Sequence, residues 1–320
     1  MPSWSEILKE IQAELEKGNK AAYDVVRRKY LASLSAKTKR NTILYATKWT
    51  QTGNVDPRFI TISEEDMQGF MEVIHGSTGK NLDLILHTPG GSAEATAAIV
   101  SYIRSKFENI RIIIPHAAMS AGTMLACASD QIIMGKHSFI GPIDPQMQLQ
   151  TPLGFRSVPA QAILDQFKMA KEECQDPKKL GSWLPILNQY GPTLLVESQN
   201  ALDLSMKLVS EWLEIYMFKG QPDAKELATC IAGKLANHNE FKSHGYHISL
   251  EQAKAMKLKV DDLENDQEFQ DLVLSVFHAT TLVLEASNTA KIIENNGGKA
   301  FIKQFKSINP PRPSPSPKPT

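Results

Sequence analysis

The sequence predicts an α/β fold with mostly parallel strands, and three observations carry that expectation. Short apolar runs at Leu82–His87, Ile110–Ile114 and Gln131–Met134 alternate with helical patterns at Ser92–Phe107 and Ser120–Ser129. Strands and helices alternating at this spacing call for right-handed crossovers between parallel neighbours. Two of the strand-to-helix turns, His87-Thr88-Pro89-Gly90-Gly91-Ser92 and Ala118-Met119-Ser120-Ala121-Gly122-Thr123, are rich in glycine, alanine and serine. The length, 320 residues, suffices for one large α/β domain or two modest ones.

The elements follow in order. Trp4, Ile7, Leu8, Ile11 and Leu15 recur at helical spacing over 3–17, and Gly18-Asn19 ends that helix. A second helix is expected over Lys20–Leu34. Both are polar enough to be read as a bracket or an oligomer contact rather than core. Thr42–Ala46 and Phe59–Ile62 read as short strands. Ser63-Glu64-Glu65-Asp66 reads as an N-cap with acidic residues in the first turn of a helix reaching His75. After the alternating region, Gly141-Pro142-Ile143-Asp144-Pro145 is a turn whose two prolines fix the presentation of Asp144. Helices are expected over Pro159–Cys174, Thr193–Phe218, Lys225–Leu235, Ser249–Met256, Asp266–Asn288 and Thr289–Phe305, with Asp176–Ser182 a loop. The segment 307–320 is rich in Pro and Ser and is expected to be disordered.

Composition excludes several functional classes. Thirty-five basic residues balance thirty-five acidic ones and no basic block stands out, which weighs against a nucleic-acid partner. Cys127, Cys174 and Cys230 are far apart and show no metal-type spacing, as expected of free thiols in a reducing compartment. No apolar h-region follows Met1-Pro2-Ser3-Trp4. The most apolar stretch, Ile110–Met134, is interrupted by Pro115, His116, Ser120 and Asp130, short of the roughly 18 apolar residues that span a bilayer. A cytoplasmic protein without a transmembrane segment, metal or organic cofactor is the expectation.

The two turns suggest acyl-transfer chemistry. Attack on an amide builds charge on the carbonyl oxygen, and backbone N–H groups aimed at that oxygen stabilise it. Gly90 and Gly91 lack side chains and let their amides approach a substrate; the amide of Ala121, beside Ser120, would supply a further donor. Small neighbours leave Ser120 room to act as nucleophile, although a serine at a helix start can also be a simple cap. A serine needs a base. His87, His116, His137 and His244 are candidates.

These residues resemble the crotonase-like serine peptidases, which include the Clp protease proteolytic subunit and the signal peptide peptidase A group. The resemblance covers roughly residues 55–265: Thr88-Pro89-Gly90-Gly91, then Ser120-Ala121-Gly122-Thr123, then Gly141–Pro145. Ile248-Ser249-Leu250-Glu251-Gln252-Ala253, leading to Leu258-Lys259-Val260-Asp261, closes it. Within that group the Gly141–Gln146 turn is similar to that of the serine dehydrogenase proteinase family, which carries its catalytic residues in the order Ser, Asp, His. The resemblance implies a ClpP/crotonase-like spiral of β-β-α units with flanking N- and C-terminal helices. Its divisions would be a helical bracket over 1–40, a catalytic domain over 41–265, C-terminal helices over 266–306 and the tail. It implies a serine endopeptidase with Ser120, Asp144 and His244 as catalytic residues and Gly90, Gly91 and Ala121 as the oxyanion site. Peptide or unfolded-protein substrates and a homo-oligomer are implied as well. The signal peptide peptidase relatives use lysine as base, which makes Lys168 the reserve, ahead of Lys171, Lys178 and Lys179. A non-catalytic scaffold of the same fold and a crotonase-type acyl-thioester enzyme are the alternatives.

Overall fold

Side chains alternate across a β-strand, so a run of consecutive apolar residues supplies two sheet faces at once. The computed structural model describes residues 3–51, 55–151 and 154–305. Helices α1 (Trp4–Glu16) and α2 (Ala22–Thr38) precede β1 (Asn41–Thr47), the single turn α3 (Pro57–Ile60) and α4 (Asp66–Ile74). Strand β2 (Asn81–His87), α5 (Ala93–Lys106), β3 (Asn109–Ile114), β4 (Ala117–Ala118), α6 (Ala121–Cys127) and β5 (Gln131–Met134) follow. Next come β6 (Phe139–Ile140) and a hairpin of β7 (Gln146–Thr151) and β8 (Gly154–Pro159). A helical region holds α7 (Ala160–Glu173), α8 (Pro177–Leu187), α9 (Leu194–Trp212) with a π-helical turn over Leu213–Met217, α10 (Ala224–Ala236) and α11 (His238–Phe241). Then come β9 (Ile248–Ser249), α12 (Leu250–Ala255), β10 (Val260–Asp262), α13 (Gln267–Ala286), β11 (Thr289–Asn295) and β12 (Ala300–Gln304).

The main sheet has seven strands in the order β10-β5-β3-β2-β1-β11-β12. The first five run parallel; β11 and β12 add antiparallel at one edge. Leu84 and Leu86 of β2 face one core, shared with Ile99 of α5, Met124 of α6 and Val209 of α9. Ile85 faces the other, with Leu31 and Leu34 of α2 and Val273 of α13. A three-stranded sheet, β4-β6-β9, sits beyond the carboxyl ends of the central strands. The expected α/β fold with a mostly parallel sheet is therefore the observed one.

Several elements differ from expectation. Residues 289–305 form the β11–β12 hairpin and not a helix, so the chain after residue 266 is one helix and two strands of the main sheet. Its turn, Asn295-Asn296-Gly297-Gly298, places Gly298 at φ +84° and lets Asn295 Oδ1 accept from the amides of Gly297 and Lys299. Pro57–Ile60 is a helical turn capped by Asp56, and only Ile62 of the expected strand 59–62 makes a strand-like bridge, to Gly91. The helix expected from Ser63 starts at Asp66, whose side chain turns inward to Lys291 and accepts from the Ser63 amide. Pro177–Leu187 is a helix and not a loop, because Asp176 caps it and Pro177 is preorganised for its first turn. The β7–β8 hairpin had no counterpart in the expected elements. The tail 307–320 lies outside the described residues.

The N-terminal helices also differ from a peripheral bracket. Ile7, Ile11 and Val26 pack on Ala279 and Leu282 of α13, and Arg27 is fully buried. The polar content of α2 that suggested exposure includes this arginine, whose Nε lies 2.6 Å from Glu294 of β11. The other oxygen of Glu294 holds Arg28, also at 2.6 Å. Among the described residues no helix is long and apolar enough to cross a membrane.

Glu294 is buried between two guanidinium groups, one of them fully buried. Removing one partner of such an arrangement strands a charge in low dielectric. Glu294→Ala is expected to lower unfolding stability by about 3–5 kcal/mol, measured by urea denaturation at neutral pH; a loss below about 1 kcal/mol would contradict the structural role.

Candidate active site

The two glycine- and serine-rich turns meet. A Cβ on Gly90 would stand 2.6 Å from Met119 O, 2.8 Å from Ser120 Cβ and 2.9 Å from Ala121 N. A Cβ on Gly91 would lie 2.3 Å from the carbonyl oxygen of Ile62. Glycine is therefore required at both positions by the approach of neighbouring backbone, and at Gly90 also by φ +98°. The Ile62 amide donates to Gly90 O (2.8 Å) and the Ser92 amide to Ile62 O (3.0 Å), which pins the turn on one side. On the other side, the Thr88 and Met119 amides donate to Ala117 O and Thr88 O.

Ile62 is itself held from below. Lys291 of β11, fully buried, donates to Thr61 O at 2.8 Å and pairs with Asp66 at 2.5 Å. Asp66 also accepts from Tyr45 Oη (2.8 Å) and from the Ser63 amide (3.0 Å). Burial pulls the Lys291 ammonium below its ordinary range, against the opposing pull of Asp66.

Ser120 has φ +51° and ψ −117°, a conformation that costs a non-glycine residue. Its hydroxyl makes no capping bond, so the simple cap reading does not apply. Such a sharp strand-to-helix turn lifts a side chain out of the sheet's end and exposes its oxygen. The Gly90 amide is engaged by Thr88 Oγ1 at 3.2 Å. The Gly91 amide has no acceptor among the described residues, and that of Ala121 is one of the unpaired donors of a helix's first turn.

Thr123 ties the serine turn to the Gly141–Pro145 loop: its Oγ1 lies 3.0 Å from both Ala118 O and the Gly141 amide. That loop delivers Asp144, fully buried, to two histidines. Asp144 Oδ1 lies 2.7 Å from His244 Nδ1, and Oδ2 lies 2.9 Å from His238 Nδ1. Gln146 Nε2 also donates to Oδ2, at 3.1 Å. A carboxylate only accepts, so both rings carry their proton on Nδ1, and a neutral ring then offers Nε2 as an acceptor.

Gly90, Gly91, Ser120 and His244 line one cleft of about 990 Å³, which also takes in Gln146 and Met147 of the β7 strand. Ser120, Asp144, His244 and the two glycines are thus brought to one end of the sheet, although no hydrogen bond joins Ser120 to a histidine among the described residues. Lys168 is exposed on α7 and does not line the cleft; Lys171, Lys178 and Lys179 are exposed as well. His87, His116 and His137 lie away from the cleft. His87 is buried against the rings of Trp49, His116 and Phe277, and His137 Nε2 is 2.9 Å from Pro115 O. His238 and Gln146 were not among the expected residues. A second histidine six positions before His244 was the available signal. Among the described residues no group of three or more His, Cys, Asp or Glu side chains is placed to hold a metal ion.

A model of the ClpP-like SDH-type serine proteinases matches residues 18–276. Two proteins of Methanocaldococcus jannaschii are similar in sequence, both uncharacterized. MJ0137 is 31% identical over 205 residues, 64% of this chain and 61% of its own length. MJ1495 is 30% identical over 206 residues, 64% and 60% of the two chains. The chain thus spans about three fifths of the curated relatives it matches. Two solved structures of variants of the 1510-N membrane-bound stomatin-specific protease are similar as well. The first has a TM-score of 0.37 at 17% identity, covering 62% of this chain and 74% of that one. The second, in complex with a substrate peptide, has a TM-score of 0.36 at 16% identity, covering 62% and 70%.

His87, directly ahead of the glycine turn, is pushed down to about 3, by burial first and then by His116. A histidine whose folded pKa is depressed costs stability as pH falls below its unfolded value near 6.5. The loss begins near pH 6.5 and grows down to about 3, reaching about 2 kcal/mol at pH 5. Denaturation at pH 7 and pH 5 should show it, and His87→Leu should flatten the difference.

Proposed function

Since the chain belongs to the ClpP-like SDH-type serine proteinases, we propose that it hydrolyses peptide bonds with Ser120 as the nucleophile. The observation that carries this reading is the buried Asp144 holding His244, which lines the same cleft as the strained Ser120. Asp144 holds His244 in the tautomer that leaves Nε2 free to take the Ser120 proton. The alkoxide attacks the carbonyl carbon, and the Gly91 and Ala121 amides receive the developing oxyanion. Gly90, its own amide engaged by Thr88, sets the spacing between the turns. His244 then returns the proton to the departing amine, and water releases the acyl group from Ser120 by the same steps.

A cleft of about 990 Å³ lined by Gly91, Ser92, Gln146, Met147 and Gln148 has room for several residues of a peptide or unfolded chain. The proposed setting is the cytoplasm, as a homo-oligomer. In support, Phe155, Phe167, Met169, Leu180, Leu184 and Val196 are exposed on the β7–β8 hairpin and α7–α9, apolar surface of the kind that contacts cover. Light scattering should give a mass above one chain, and Leu184→Glu with Val196→Glu should lower it; a monomeric wild type would refute self-association.

A fluorophosphonate probe should label the protein at Ser120 and block hydrolysis of an unfolded protein substrate. Ser120→Ala should abolish both. Labelling that survives the substitution would overturn the assignment, and titration with coenzyme A thioesters would reveal the acyl-thioester alternative.

A further inference from the structure

We infer that His238 is a positioning residue that orients Asp144 for His244, an inference that rests on the peptidase reading above. Asp144 is completely buried, and its partners among the described residues are all neutral donors or histidines; no lysine or arginine pairs with it. The two carboxylate oxygens are used unequally. Oδ2 takes His238 at 2.9 Å and Gln146 at 3.1 Å, while Oδ1 takes His244 alone at 2.7 Å. Two donors converging on Oδ2 fix the plane of the carboxylate, which turns a lone pair of Oδ1 toward His244.

The two histidines are not interchangeable. His244 lines the cleft beside Ser120 and its side chain is 27% exposed; His238 is 16% exposed and does not line the cleft. His238 is also anchored independently of the cleft. It is the first residue of α11, whose start Asn237 caps by accepting from the Asn239 amide at 3.0 Å. The Gln146 contact comes from a separate element, from the first residue of β7. Without His238, a single hydrogen bond from the Gln146 side-chain amide restrains Oδ2, and the carboxylate can rotate away from His244.

The test compares His238→Ala with His238→Asn, whose side-chain amide nitrogen occupies the position of Nδ1, in the full chain. Thermal unfolding of both variants establishes that they fold. With an internally quenched peptide, His238→Ala should lower kcat about tenfold or more with KM unchanged, slow fluorophosphonate labelling of Ser120 in parallel, and be rescued by His238→Asn. A readout independent of turnover is the downfield Nδ1 proton of His244 in a Ser120→Ala background. His238→Ala should broaden or shift it, and His238→Asn should retain it. Undiminished kcat and an unmoved His244 resonance in His238→Ala would overturn this inference alone. A wild type that neither labels at Ser120 nor hydrolyses peptide would overturn the peptidase reading, and this inference with it.

Discussion

Between the backbone of Ile62 and that of Met119–Ala121 there is space for two glycines and for no side chain. Gly90 and Gly91 fill it, and the site's geometry depends on that close approach. The approach brings the amide of Gly91 and that of Ala121 to the same end of the sheet as the Ser120 hydroxyl. Any Cβ at either glycine would push the turns apart, because the atoms it meets are backbone atoms and the Ser120 Cβ, none of which can rotate aside. The strain at Ser120 persists because hydrogen bonds on both sides of the turn over-determine it.

Buried charge supports this arrangement from two directions. Lys291 and Asp66 hold Thr61 and Ser63, and so place Ile62 against Gly91. Lys291 belongs to β11, the antiparallel strand added beside β1, so the sheet's edge hairpin reaches the site through one side chain. On the other side Asp144 draws together the Gly141–Pro145 loop, the β7 strand and the segment after α10. Each buried carboxylate is satisfied by several donors, the condition under which burying a charge is tolerable.

Much of the parallel sheet was legible because its signal is local. Leu82–His87 and Ile110–Ile114 are short apolar runs bounded by turns, and each run became a strand buried on both faces. Residues 289–305 are ambiguous in the sequence because Ala290, Ile292 and Ile293 with Lys291 between them fit a helical stripe as well as a strand. The Asn-Asn-Gly-Gly turn was the deciding mark. The helix at Pro177 carried an Asp-Pro cap, a legible sign that the lysines around it obscured. Arg27 shows the converse failure: a charged residue counted as a reason for exposure is buried, because its partner lies on β11.

By itself the sequence determined the strand–helix alternation, the paired glycines, the serine at the second turn and the rigid turn that presents Asp144. Each is written in neighbouring residues, where sterics and periodicity act over a few positions. Tertiary structure alone decided which histidines meet Asp144. His238 and His244 lie 94 and 100 residues further along the chain, and no local pattern encodes a contact at that range. The engagement of the Gly90 amide by Thr88 Oγ1 is by contrast a local contact, two residues apart, while Gly91 owes its place to Ile62, far away in the chain. Long-range packing selects among residues that local chemistry leaves equivalent.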